Sequence, residues 1–393
     1  MFKRTKKKGK VYVGLSGGVD SAVSAALLKR EGFEVVGVFI RIALSGYPCP
    51  AAEDRIEAMR VAAHLKIPFL EIDLSKAYEE RVFAFSVEEF KKGRTPNPDA
   101  MCNREIKFGL FYEFARAHGA DFVATGHYAR VASQNNSLRV HKFSAKNLLS
   151  PRAVALRSPS KSNSASLFVS SDDTKDQSYF LWAVPEEHLK HTLFPVGGMH
   201  KTEVRNLARK FKLPNNARPD SQGLCFLGPI SIEDMLVRET HPTPGEVLSE
   251  DDTVLGTHKG VQLYTLGQRH GFELAVSGNH AEPHFVVAKD IERNTITVST
   301  NRFPRTVQKT ELTLVQENWI GEVLPGNYMA RFRYRQKLIP ATFSIEGGKT
   351  KIVLAEPHYV PEGQSLVLYE REEACLPAGR CVGGGIINTA TLI

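Results

Sequence analysis

The chain has 393 residues, too many for one ordinary core, so two or three domains are expected. Hydrophobic residues make up 42% and charged residues 24%, a globular balance, and no apolar run approaches the roughly 20 residues of a membrane span. Lysine and arginine exceed aspartate and glutamate by 51 to 43, which suits a polyanionic partner but specifies no fold.

The start, MFKRTKKKGK, is basic and lacks the apolar core of a secretory signal, so residues 1–10 read as a solvated tail and the protein as cytoplasmic. KVYVGL reads as a strand, followed by helical spacing at Val23, Ala26, Leu27 and Arg30 and a stop at Gly32. EVVGVFIR (34–41) is almost continuously apolar, as a strand covered on both faces would be. A helix through Ile56, Met59 and Ala63 precedes the short strand FLEID (69–73). Residues 76–92 and 103–118 are again helical, the second ended by Gly119, and DFVAT (121–125) is a further strand. This alternation predicts an α/β doubly wound parallel sheet, with ligands beyond the carboxyl ends of the strands. The loop after Leu15, the segment after Ile40 and the pair Gly126-His127 lie at such ends.

Residues 132–172 are Ser/Asn-rich without sustained periodicity and read as an insertion, with at most a loose hairpin. The helical pattern returns over 176–240, where Val204, Leu207, Ala208 and Phe211 share a face. From 244 the period becomes two, predicting a small β-barrel or sandwich. The expected parts are a catalytic domain over 11–183, a small helical domain over 184–243 and a β-barrel-like domain over 244–393.

The five cysteines, Cys49, Cys102, Cys225, Cys375 and Cys381, are odd in number, scattered and without CxxC spacing. Neither a disulfide framework nor a zinc site is supported.

SGGVDS (16–21) joins the first strand to the first helix. Glycines let backbone N–H groups approach an anion, and a helix N-terminus adds partial positive charge. A P-loop is excluded because no lysine follows, and the dinucleotide fingerprint fails because the glycines fall at Gly14, Gly17 and Gly18. Hydroxyls and amides here suit a pyrophosphate, and Asp20 suits Mg²⁺, which prefers oxygen ligands.

This hexapeptide resembles that of the PP-loop ATP pyrophosphatases. With GRTPNPDAMCNREIKF (93–108), ATGHYAR (124–130), KDQSYFL (175–181), SQGLCF (221–226), YTLGQRHGF (264–272) and RYRQ (333–336) in this order, the whole chain resembles the tRNA-specific 2-thiouridylases. The resemblance implies ATP-dependent replacement of the 2-oxygen of the wobble uridine by sulfur. It implies ATP binding by Gly14, Leu15, Ser16, Gly17, Gly18, Val19, Asp20, Ser21, Ile40 and Gly126. Asn97, Pro98 and Asp99 would meet the target base, and His127, Lys175, Asp176, Gln177, Arg333, Tyr334 and Gln364 would contact tRNA. Cys102 would be the nucleophile of disulfide exchange and Cys225 the persulfide carrier, paired transiently as Cys102–Cys225. A persulfide donor protein is the implied partner, and the free protein is expected to be a monomer. Cys49 receives no role, and Cys375 and Cys381 look dispensable.

Read without the resemblance, His127 satisfies a local backbone group, Lys175–Gln177 caps a helix, and RYRQ is an exposed charged face. Both Cys102 and Cys225 stand in polar, loop-like contexts, with Arg104 or Lys107 placed to lower the Cys102 thiol pKa. The alternative activity is a PP-loop ligase that uses nitrogen. The chain departs from the family pattern in the length of 132–172, in the extra ACLPAGR (374–380) and at Gly223 and Leu224.

Overall fold

The computed structural model describes residues 8–47, 51–133, 164–220, 230–275, 282–305, 307–370 and 379–393. The first part runs β1 (Lys10–Gly14), α1 (Val19–Arg30), β2 (Glu34–Arg41), α2 (Ala51–Leu65), β3 (Phe69–Asp73), α3 (Ser75–Tyr78), α4 (Ala84–Lys91), α5 (Pro98–Cys102), α6 (Phe111–Ala117) and β4 (Phe122–Ala124). It continues with β5 (Arg130–Ser133), β6 (Ala165–Phe168), α7 (Glu186–Leu189), β7 (Thr192–Leu193) and α8 (Lys201–Lys210).

The expected parallel sheet is present, in the order β3-β2-β1-β4-β7. Its strands send alternate side chains into two cores. Tyr12, Val36, Val38 and Ile40 join Met101 and Phe111, whereas Val11, Val13, Val35 and Phe39 join Val23, Val61 and Leu207. Burial on both faces explains why EVVGVFIR lacks a polar alternation. The chain builds outward from β1 through β2 and β3 on one side and adds β4 on the other. The crevice of such a sheet therefore opens between the carboxyl ends of β1 and β4. Both long helices expected over 76–92 and 103–118 are interrupted by π-type turns, at Glu79–Phe83 and Asn103–Leu110. Such turns inside helices occur often at functional sites.

Residues 184–243 do not form a helical unit of their own. β7 pairs with β4, and Val204, Leu207 and Ala208 of α8 share a core with α1. An amphipathic period reports that a helix has a buried face, not which core buries it. The small intermediate domain combines α9 (Ile232–Thr240) with β8 (Gly245–Leu248), β9 (Val254–His258), β10 (Phe272–Leu274), β11 (Phe285–Asp290) and β12 (Thr295–Ser299). These strands form a separate sheet, β10-β9-β8-β12-β11, around Val247, Val286, Ile296 and Val298. The period-two region beyond 244 is thus two sheets, because alternation does not reveal which strands pair.

The remaining strands are β13 (Thr310–Trp319), β14 (Gly326–Arg331), β15 (Ile339–Glu346), β16 (Lys349–Leu354), β17 (Ser365–Tyr369) and β18 (Arg380–Leu392). They run β13-β16-β15-β14-β17-β18, and β18 returns to pair with β13, closing an antiparallel barrel. Gly383 permits the closure: its φ is +112°, and a β carbon there would lie 2.1 Å from the Asn318 carbonyl oxygen. β5 and β6 form an antiparallel hairpin whose second strand adds to β18. The hairpin read into 132–172 is present, but it is not loose at its end, since Ala165–Phe168 is a fully buried strand. Serine-rich neighbours diluted its short apolar signal. Residues 134–163 of that insertion lie outside the described residues, as do Cys49, Cys225, Gly223, Leu224 and most of the extra segment near 374–380.

Candidate active site

β1 ends at Gly14, and the Leu15 amide donates to the Val38 carbonyl at 2.8 Å, carrying the chain one residue further along the sheet. The loop then turns sharply. Gly17 has φ +77°, and a β carbon there would lie 2.5 Å from the Asp54 carbonyl oxygen, so only glycine fits. Ser21 Oγ accepts from the Ser16 amide at 3.2 Å and donates to the Gly18 carbonyl at 3.1 Å. From outside the loop, Asn215 Nδ2 donates to the Gly17 carbonyl at 2.7 Å. α1 starts at Val19 without a side-chain cap. Its first-turn N–H groups, which have no intrahelical acceptors, and the positive end of its dipole lie at the mouth of the crevice, an arrangement suited to an anion.

Gly126, beyond β4, forms the opposite wall. A β carbon at Gly126 would lie 2.7 Å from the Ser21 amide nitrogen and 2.8 Å from the Asp20 carbonyl carbon. Gly126→Ala is therefore expected to displace the loop and weaken ATP binding by ~1–3 kcal/mol, the scale of overpacking. Calorimetric titration with ATP checks this, and wild-type affinity in the variant would show that the close approach is unimportant. Ile40 lies at the end of β2, its side chain buried in the core behind the crevice.

Asp20, in the first turn of α1, is the centre of an ionic network. Lys201 Nζ lies 2.8 Å from each of its carboxylate oxygens, and the Tyr128 hydroxyl donates to Oδ1 at 2.9 Å. Lys201 also pairs with Asp220 at 2.9 Å, and Asp220 in turn takes Lys175 at 2.9 Å and Arg205. Burial disfavours the ionised form of Asp220, but hydrogen bonds from Lys201 and Lys175, with their charges, hold the carboxyl well below its usual range. Burial, reinforced by the Asp20 charge, pushes the Tyr128 hydroxyl far above its ordinary value, so it remains a donor. Lys201, Tyr128, Asp220 and Asn215 were missed from sequence. Lys201 reads there only as the first residue of an amphipathic helix, 181 positions from the carboxylate it holds.

Asn97 caps α5, its Oδ1 accepting from the Ala100 amide at 3.1 Å, with Pro98 in the first helical position and Asp99 beside it in the first turn. Cys102 closes this helix and is 0% exposed, in a core with Met101, Ile106 and Phe108. The expectation of a polar, loop-like setting is corrected. Asn103 points its amide to the Phe180 carbonyl at 2.9 Å, and Arg104 turns to Glu105 at 2.8 Å and to Gln316 at 3.0 Å. These polar neighbours turn elsewhere because the helix puts them on a different side from the thiol. Asp220 belongs to the loop network, and Ile230 packs against the core that contains Cys102. Cys381 is also fully buried, and burial pushes its thiol up to about 12.

The residues expected to meet tRNA separate into groups. His127 is buried between Phe108 and Phe194, its Nδ1 2.7 Å from Thr125 Oγ1. Burial, with the Lys107 charge, holds its imidazole well below the ordinary value and so neutral. Lys175 belongs to the Asp220 network. Asp176 is buried where the first domain meets the barrel, accepting from the Ser170 amide at 3.0 Å and pairing with Arg331 at 3.1 Å. Gln177 exchanges hydrogen bonds with the Tyr128 backbone at 2.8 and 2.9 Å. Gln364 Oε1 lies 3.0 Å from the Tyr179 hydroxyl. Tyr334 packs on Phe180 with ring centroids 4.7 Å apart, and Arg333 reaches the Leu266 carbonyl of the small domain.

Three family models match the chain in succession. They are described as the tRNA methyl transferase HUP domain over residues 9–229, the tRNA methyl transferase PRC-barrel domain over 233–300 and the aminomethyltransferase beta-barrel domain over 309–387. The tRNA-specific 2-thiouridylase MnmA of Lysinibacillus sphaericus (strain C3-41) is 38% identical over 387 residues, covering 96% of this chain and 94% of that protein. Those of Nitrosomonas europaea and Methylobacillus flagellatus are 37% and 38% identical, covering 97% and 98% of this chain and 98% and 99% of theirs. Similarity at this level, along nearly the full length of both partners, means that the chain belongs to the tRNA-specific 2-thiouridylase family.

Proposed function

We propose that this enzyme replaces the 2-oxygen of a tRNA wobble uridine with sulfur at the expense of ATP. The observation that carries the reading is the identity of 37–38% to three 2-thiouridylases along almost the whole chain. The uncapped, glycine-turned loop at the sheet's crevice supports it. A carbonyl oxygen is a poor leaving group, so it first attacks the α-phosphorus of ATP, releasing pyrophosphate and forming a C2–O–AMP ester. The amides of SGGVDS and the ammonium of Lys201 would stabilise charge on the departing phosphates. Asp20 is the carboxylate that would hold Mg²⁺, whose chemistry there is neutralising phosphate charge. That role requires Lys201 to leave Asp20, whose two oxygens it occupies.

Sulfur arrives as a persulfide on Cys225, supplied by a donor protein. Its terminal sulfur attacks C2, and the Cys102 thiolate attacks the Cys225 sulfur, breaking the S–S bond and leaving the terminal sulfur on the base. Loss of AMP carries away the original oxygen. The Cys102–Cys225 disulfide is then reduced by an external dithiol before the next turnover. Asn97, Pro98 and Asp99 begin the helix that ends at Cys102, a position suited to presenting the unstacked base. The free protein acts as a cytoplasmic monomer. Among the described residues no helix is long and apolar enough to cross a membrane.

The test is incubation of the protein with ATP, a persulfide donor and an unmodified tRNA transcript, followed by mass spectrometry of the nucleosides. The expected product is 2-thiouridine at the wobble position with AMP and pyrophosphate. The descriptions of the matched family models speak of methyl transfer, and the same spectrum separates that outcome. A methylated, nitrogen-substituted or unchanged uridine would overturn the reading.

A further inference from the structure

The segment joining β12 of the small domain to β13 of the barrel reads Asn301-Arg302-Phe303-Pro304-Arg305. Phe303 is 44% exposed, leaving part of its ring open to a ligand. The Arg302 guanidinium lies 5.4 Å from the Phe303 centroid, and the ring's edge meets His358 at 5.2 Å. Next to it is the turn after β14, where Arg333 reaches across to the Leu266 carbonyl and Arg335 stacks on Tyr334 at 5.2 Å. Burial, with the nearby Arg302 charge adding to it, disfavours the charged form of Arg333. Among the described residues no carboxylate comes within ion-pair distance of Arg302, Arg333 or Arg335; Glu356 acts on His358 instead. Guanidiniums gathered without counter-charge repel one another in the free protein, and that repulsion is relieved when a polyanion binds. An exposed ring beside them adds a platform on which an unpaired base can stack.

We propose that Arg302 and Phe303 form, with Arg333, a contact site for an unpaired segment of the tRNA substrate, the guanidiniums taking phosphates and the Phe303 ring taking a base. This rests on the tRNA reading above but assigns a surface on the inter-domain segment, away from the phosphate loop. Its energetic role is to hold tRNA, not to react, so it acts on affinity and KM and leaves kcat alone.

The test uses the full chain and a fluorescent, unmodified tRNA transcript, with anisotropy titrations over a series of salt concentrations. Arg302→Ala is expected to weaken binding and to lower the slope of log affinity against log salt by about 0.7–0.9, the share of one phosphate contact. Phe303→Ala is expected to weaken binding about tenfold with the salt slope unchanged, and Phe303→Tyr, which keeps the ring and its packing, to restore it. Thermal melting of each variant separates lost binding from lost folding. Wild-type affinity and slope in both alanine variants would overturn the site, as would equal losses toward a fully paired RNA hairpin stem. If the wild type binds tRNA and the variants lose it while no 2-thiouridine forms, the surface stands and the thiolation reading fails. If thiolation proceeds and the variants bind normally, the surface alone fails.

Discussion

Cys102→Ser is expected to abolish 2-thiouridine formation while tRNA-dependent pyrophosphate release from ATP continues. The two half-reactions draw on different atoms. In the proposed mechanism adenylation draws on the loop amides and the lysine of the Asp20 network, whereas removal of sulfur from Cys225 draws on a thiolate that accepts the other end of the S–S bond. A serine hydroxyl cannot form that bond, so the loss is about 10³-fold or more, the scale of deleting a covalent nucleophile. Cys225→Ser is expected to give the same pattern. Because Cys102 is fully buried, the exchange also requires access to be created during turnover. Alkylation of Cys102 in the free protein is accordingly expected to be slow, and faster once tRNA occupies the crevice. The buried serine itself removes some stability, about 1–3 kcal/mol if its hydroxyl lacks a partner, so Cys102→Ala serves as a folding control. Full turnover by Cys102→Ser would remove the sulfur-exchange role and favour nitrogen-using chemistry.

Lys201→Ala is expected to slow pyrophosphate release by about 10²–10³-fold, the loss typical of removing one preorganised donor to developing charge. The phosphate loop contains no lysine of its own. The fold supplies one from the start of α8, 2.8 Å from both Asp20 oxygens and 2.9 Å from Asp220. Without it, the charges of Asp20 and Asp220 remain beside the place where a polyphosphate must enter, so the apparent KM for ATP rises as well. Lys201→Arg keeps the charge and is expected to recover part of the rate. Pyrophosphate release under saturating tRNA measures both variants, and an unchanged rate in Lys201→Ala would remove Lys201 from the phosphate site. Asp220 adds a pH signature. Its pKa is depressed in the folded state, so its contribution to stability is present at neutral pH and is lost only as pH falls through that lowered value.

What the chain alone determined is the part whose physics is local. Apolar alternation, the glycines Gly17 and Gly18 and the helical spacing after them specify strand, turn and helix from adjacent residues, because φ/ψ limits and backbone hydrogen bonding act over a few positions. The doubly wound sheet and the later β structure followed from the same periodicities. Only the tertiary structure decided where those elements meet. Nothing around Lys201 marks it as the partner of Asp20, since an ion pair across 181 positions leaves no local pattern. Polar letters around Cys102 suggested a loop-like setting, but the helix turned Asn103 and Arg104 away and left the sulfur in the core. Ala165–Phe168 acquired its strand by pairing with β5 and β18, and β18 closed the barrel on β13 through a glycine whose neighbour is Asn318. For Lys201, β6 and β18 the deciding contact joins residues far apart in the chain, and packing sets its energy where periodicity has no information.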